Sequence, residues 1–208
     1  MYIPPAFRDD DITNIIATVK AARLASLVTA TAEGLIATPL PMFLAEQEGE
    51  FGTLYAHVAR ANSQWKNPPV GEGMAIFMGP DAYITPSWYA TKQETGKVVP
   101  TWNYIAIHAY GNVEFFDDDS RLLDVITRLT NVHERERANP WAVDDAPADF
   151  IKSQLKGIVG LRMPISRFDS KRKMSQNRSA ADRAGVIEGL AASENANDRA
   201  AAKFVPEW

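Results

Sequence analysis

The 208-residue chain contains no cysteine, which excludes a disulfide framework, a thiolate metal site and a cysteine nucleophile, and makes an intracellular location the default expectation. Histidine is scarce as well. His57, His108 and His133 are the only three, no pair has metal-ligand spacing, and no metal site is expected. No apolar run approaches the ~18 residues of a membrane span. The opening Met1-Tyr-Ile-Pro-Pro5 lacks the basic and apolar regions of a signal peptide, so a cytoplasmic protein without membrane attachment is expected. Gly-x-Gly-x-x-Gly, Walker and nucleophile-elbow patterns are all missing, which argues against Rossmann, P-loop and α/β-hydrolase sites. A net charge of −4 argues against nucleic-acid binding spread over the whole surface, although Lys171, Arg172, Lys173, Arg178 and Arg183 form one local basic patch.

What is present suits a folded core: 46% of residues are hydrophobic and 23% charged, enough for a single domain over residues 1–192 followed by a C-terminal tail, 193–208. Ile12, Ile15, Ile16 and Val19 have helical spacing behind Asp9 to Asp11. Leu24 to Thr31 and Leu35 to Leu44 read as a hairpin, its second strand marked by Pro39 and Pro41 as an edge or a bend. Leu54 to Ala59 is a strand that runs into a helix start and stops at Asn67-Pro68-Pro69. Met74 to Phe77 is a strand broken by Gly79-Pro80, residues 91 to 96 an exposed loop, and Val98 to Phe116 a long strand with bulk on both faces. Leu122, Val125, Ile126, Leu129 and Val132 form a helical stripe, a second helix covers about Pro147 to Leu155, and Gly157 to Phe168 is the last strand. Ser179 caps a helix through Leu190. About six short strands with helices between and after them, and no βαβ rhythm, predict an α+β fold: an antiparallel split β-barrel with peripheral helices.

Two stretches carry candidate chemistry. In Leu54-Tyr-Ala-His-Val-Ala-Arg-Ala-Asn-Ser-Gln-Trp65 the strand gives way to Arg60, Asn62, Ser63 and Gln64 in one turn, where backbone N–H groups, a guanidinium and amides suit a phosphate or carboxylate; on local sequence alone an ordinary helix cap with a surface arginine is the favoured reading. Lys171 to Arg178 mixes cations with Ser175, Gln176 and Asn177 in what reads as a loop, a solvated basic segment when taken alone. The aromatic runs Tyr83 to Tyr89 and Trp102, Tyr104 and Tyr110 are core, an interface, or a stacking platform for a flat ring. No residue stands out as a proton donor or acceptor, so the catalytic residues are unknown.

Five motifs in order, Tyr2-Ile-Pro4, Leu54 to Trp65, Gly79-Pro80 with Ala82 to Tyr89, Val99-Pro-Thr-Trp-Asn-Tyr104 with His108 to Gly111, and Lys173-Met-Ser-Gln-Asn-Arg178, resemble the PaiB family. That resemblance implies an FMN-binding negative transcriptional regulator similar to the pyridoxamine 5′-phosphate oxidase-like split barrels, a homodimer with flavin at the subunit interface. It places phosphate-end roles on His57, Arg60, Ala61 and Asn62. Ring and phosphate contacts fall on Thr38, Pro39, Lys173, Ser175, Gln176 and Asn177, with Trp102, Asn103 and Tyr104 supplied by the partner subunit. Split barrels that oxidise pyridoxamine phosphate carry an Arg-Lys pair in the turn that here reads Arg60-Ala-Asn-Ser63. The implied function is a flavin-dependent oxidoreductase or flavin-linked regulator acting on a small-molecule ligand. The alternatives are a repressor without turnover, which would touch nucleic acid through the Lys171 to Arg178 segment, and a haem-binding relative with His57 or His108 as axial ligand.

Overall fold

The computed structural model describes every residue except Arg23 and Trp208; the last residue of the expected tail therefore lies outside the described residues. The strands are β1 (Ala25–Thr31), β2 (Gly34–Leu40), β3 (Phe43–Ala45), β4 (Thr53–Ala59), β5 (Gly73–Ile84), β6 (Thr101–Gly111), β7 (Glu114–Phe116), β8 (Ile158–Pro164) and β9 (Arg167–Lys173). The helices are α1 (Ile12–Ala21), α2 (Ala90–Thr95), α3 (Asp119–Glu134), α4 (Ala148–Leu155), α5 (Ala180–Ala191) and α6 (Ala196–Ala202). One sheet has the order β2-β1-β5-β6-β9 and the other β3-β4-β8-β7, with antiparallel pairing wherever register is defined. The result is the expected α+β architecture of antiparallel sheets with peripheral helices.

The prolines act as the sequence suggested. β2 is the edge of its sheet, where Pro39 sits opposite Ser26 without requiring a donor on its open side. The run then breaks after Leu40, and β3 joins the other sheet. Four expectations are corrected. Gly79-Pro80 does not end a strand, because β5 passes straight through it; a side chain at Gly79 would meet the Ile105 Cβ at 2.9 Å, so the glycine permits close approach rather than a turn. Residues 91 to 96 form α2, closed by Gly96 at φ 67°. Arg167 to Lys173 is a ninth strand, so the first half of the basic segment is strand rather than loop. The count of about six strands was low because β3 and β7 span three residues each and are too short to show alternation.

The chain divides into two compact units, residues 22–77 with 108–168, and residues 1–21 with 78–107 and 169–208. In the first, α3 buries Leu122, Val125 and Leu129 against Phe43, Phe116 and Leu155, the stripe its i, i+3, i+7 spacing announces. Asp118 starts that helix by accepting from the Arg121 N–H at 2.9 Å. In the second, α5 and α6 bury Val186, Leu190 and Ala201, with Val205, against Ala82, Ile84 and Tyr89. The C-terminal tail thus contributes to a core.

Candidate functional site

The turn after β4 is built from its hydrogen bonds. Alternation along β4 buries Leu54, Ala56 and Val58 and leaves Tyr55 and His57 half-buried on the other face. Asn62 caps a short 3-10 turn, Ser63–Lys66, by accepting from the Gln64 N–H at 2.8 Å, and its own amide donates to Thr38 Oγ1 at 3.0 Å. Gln64 is fully buried and donates to Thr29 Oγ1 (3.0 Å) and to the Leu27 and Ile36 carbonyls (3.2 and 3.3 Å), tying the turn to the β1–β2 hairpin. The Arg60 guanidinium donates to the carbonyls of Lys156 (2.8 Å) and Ile158 (3.0 Å) and lies 3.5 Å from an Asp117 oxygen. It therefore closes the α4–β8 connection, with Nε and Nη2 each committed to a carbonyl. His57 Nδ1 is buried without a hydrogen bond, and burial holds the imidazole below its ordinary pKa. Asn62 reaches Thr38; His57 and Arg60 precede it on β4 and its turn, and Pro39 and Ala61 are exposed.

The second set of candidates converges in the other unit. Asn103, fully buried on β6, exchanges hydrogen bonds with Ser175: amide nitrogen to hydroxyl at 3.0 Å and hydroxyl to amide oxygen at 3.1 Å. Lys173, the last residue of β9, donates to Thr101 Oγ1 and to the Trp102 carbonyl. Gln176 folds back on its own turn, accepting from the Met174 N–H at 2.7 Å and donating to the Arg172 carbonyl at 2.5 Å. Around these bonds lies a small cavity of about 50 Å³ lined by Thr101, Asn103, Lys173, Ser175, Asn177 and Arg178. A water needs about 10–15 Å³ of such space, so the cavity has room for one small polyatomic anion. Trp102 and Tyr104 are not in its lining; Trp102 is 53% exposed and meets Tyr83 edge-on at 6.0 Å.

The electrostatics of the cavity favour an anion. Burial first, then the neighbouring positive charges of Lys171 and Arg178, hold the Lys173 ammonium below its ordinary pKa. A phosphate in the cavity would relieve the repulsion of Lys173 by its neighbours while accepting from Lys173, Arg178, Asn177 and Thr101. The donor set fits the phosphate end of FMN. Arg178 and Thr101 are additions to the residues that the family resemblance singles out; Arg178 was visible as part of the basic patch, but only β9 and the cap of α5 bring it to the cavity.

Residues 1–167 match the family model described as "Putative FMN-binding domain". A curated Bacillus subtilis protein, protease synthase and sporulation protein PAI 2, is 33% identical over 208 residues, covering 100% of this chain and 97% of that one. The chain belongs to this FMN-binding family. An uncharacterized Aspergillus fumigatus protein is 38% identical over 180 residues, 79% of this chain and 67% of its own. Among solved structures, the FAD and heme binding protein from Mycobacterium smegmatis aligns with a TM-score of 0.57 at 12% identity, over 80% of this chain and 73% of that one. The flavocytochrome Anf3 from Azotobacter vinelandii gives 0.53 at 15% identity, over 79% and 67%. At such identities the likeness concerns the fold alone, and it is the flavin-binding split-barrel type, here with its strands in two sheets rather than one closed barrel. FMN is the cofactor of the domain. Among the described residues no group of three or more His, Asp or Glu could hold a metal, and no helix is long and apolar enough to cross a membrane.

Proposed function

We propose that the protein is a homodimeric FMN-binding split-barrel protein whose phosphate site is the cavity of Lys173, Arg178, Asn103, Ser175, Asn177 and Thr101, and that it acts as a flavin-dependent oxidoreductase or flavin-linked regulator. One observation carries the reading: mutually repelling cations and a buried amide–hydroxyl pair line a cavity of phosphate size in a chain of the FMN-binding family. Bound flavin would supply hydride or electron transfer. The protein's part is to hold it: Lys173 and Arg178 would neutralise the phosphate, and the Asn103–Ser175 pair would hold in place the loop that carries Arg178. The neighbourhood of Thr38, His57 and Asn62 supports a further polar contact, with Arg60 holding the turn in place. Exposed Trp102 and Tyr83 support a second copy, since aromatic side chains left half in water suit an interface.

Regulation is the second reading, favoured by the name of the Bacillus subtilis relative, which refers to sporulation. Direct nucleic-acid contact through the basic segment has less support, because Arg172 is paired with Asp9 at 2.8 Å and Lys173 points at Thr101 and Trp102. The visible spectrum of purified protein titrated with FMN tests the proposal. Saturable flavin absorbance and fluorescence changes are expected; their absence overturns it, and a Soret band lost in His57→Ala would replace flavin with haem.

A further inference from the structure

Part of what holds the anion loop lies far beyond it in the chain, at Phe204 and Pro206. Arg172 and Arg178 bound the loop, and each is gripped by the C-terminal segment. The Arg172 guanidinium, paired with Asp9, lies 5.3 Å from the centre of the Phe204 ring. At the other end, the Arg178 carbonyl accepts from Arg183 Nη1 at 2.8 Å, and Nε of the same guanidinium donates to the Pro206 carbonyl at 2.9 Å. Arg183 is only 9% exposed, so these carbonyls satisfy a cation that water scarcely reaches. The Arg178 side chain lies 4.6 Å from the Tyr89 ring centre, and Tyr89 is packed into the cluster that includes Ala201 and Val205.

We infer that residues 204–206 form a strap that belongs to the anion site, holding Lys173 and Arg178 converged around the cavity through Phe204, Arg183 and the Pro206 carbonyl. The inference rests on the phosphate reading of that cavity. Two features call for such a strap. Lys171 and Arg178 each repel Lys173, so an untethered loop would spread and leave the ligand to gather it again, a loss that preorganisation removes. Ser175, at the loop's centre, has φ 61°, a left-handed conformation that a residue other than glycine keeps only when its surroundings over-determine it. Both loop and strap fall beyond residue 167, where the family model ends.

The test uses the full chain and three probes: FMN, riboflavin (which lacks the phosphate) and inorganic phosphate. Arg183→Gln and Phe204→Ala are expected to weaken FMN and phosphate by about tenfold, the scale of one hydrogen bond to a charged group, while riboflavin affinity stays near the wild-type value. Equal weakening of FMN and riboflavin would show general loosening and overturn the strap, as would unchanged FMN and phosphate affinity in both variants with native far-ultraviolet spectra. If Arg183→Gln does not fold, Phe204→Leu, which keeps the packing and removes the aromatic face, carries the same comparison. Wild-type protein that binds phosphate and no flavin would refute the cofactor proposal while leaving the strap to be decided by the phosphate titrations; protein that binds neither refutes both.

Discussion

Asn103 on β6 and Ser175 beyond β9 are separated by 72 residues, yet each satisfies the other in a space closed to solvent. Their pairing joins the strand that carries Thr101 to the loop that carries Lys173 and Arg178, and it sets a hydroxyl at the wall of the anion cavity.

Asn103→Ala is expected to lower stability by roughly 1–3 kcal/mol, because a buried hydroxyl then loses its partner. Chemical denaturation measures the loss. Ser175→Gly strands the buried Asn103 amide in turn, a cost partly offset because glycine accepts φ 61° readily, and should weaken FMN by freeing the loop. A Ser175→Gly variant with undiminished FMN affinity would remove Ser175 from the site.

Lys173 makes a pH prediction. Its folded-state pKa is below the ordinary 10.5, so the ligand-free fold disfavours its charged form and the unfolded chain binds more protons between the two values. Stability contributed by this group therefore rises with pH through that window. Phosphate binding works in the opposite sense, favouring the charged lysine, so FMN affinity should fall as pH rises into the same window. Titrations across alkaline pH should show the decline in wild type and not in Lys173→Arg, where the guanidinium stays charged.

Arg60 discriminates holding the turn from binding the ligand. Because its guanidinium serves the Lys156 and Ile158 carbonyls, Arg60→Ala should destabilise the protein by about 1–3 kcal/mol and reduce FMN affinity less than Lys173→Ala does. Thermal unfolding and flavin titration on the same two variants decide the matter. The reverse order of affinities would return the phosphate to the β4 turn.

Gly111 tests the packing of β6. A Cβ there would lie 2.0 Å from the Pro164 carbonyl oxygen, and both groups are backbone, so neither can swing away. Gly111→Ala should cost about 1–3 kcal/mol, read as a lower midpoint in urea.

The sequence was most informative where periodicity was long. The α3 stripe and the alternation that buries Asn103, Ile105, Ile107 and Ala109 on one side of β6 could both be read directly. The prolines near residue 40 correctly marked an edge strand, because a missing N–H has one main physical consequence. What could not be read was set by distant partners. Arg60 looked like an anion binder because free and occupied guanidiniums share one letter; only the return of β8 beside β4 supplies the carbonyls that occupy it. Arg178 reads as one more surface cation; β9 reaching Lys173 and Ser179 capping α5 bring it to the cavity that Asn103 also lines. The tail carried no recognisable motif, since its grip on Arg183 runs through the Pro206 main-chain carbonyl and no side-chain pattern encodes it.

The central claim, that FMN is held by its phosphate at Lys173 and Arg178, is tested most directly by comparing FMN with riboflavin in equilibrium fluorescence titrations of wild type and the Lys173→Ala/Arg178→Ala double variant. The account predicts that wild type prefers FMN by about tenfold or more, the scale of one or more charge-assisted hydrogen bonds, that inorganic phosphate competes, and that the double variant binds both flavins alike. Equal affinities for the two flavins in wild type, or an undiminished preference for FMN in the double variant, would contradict it.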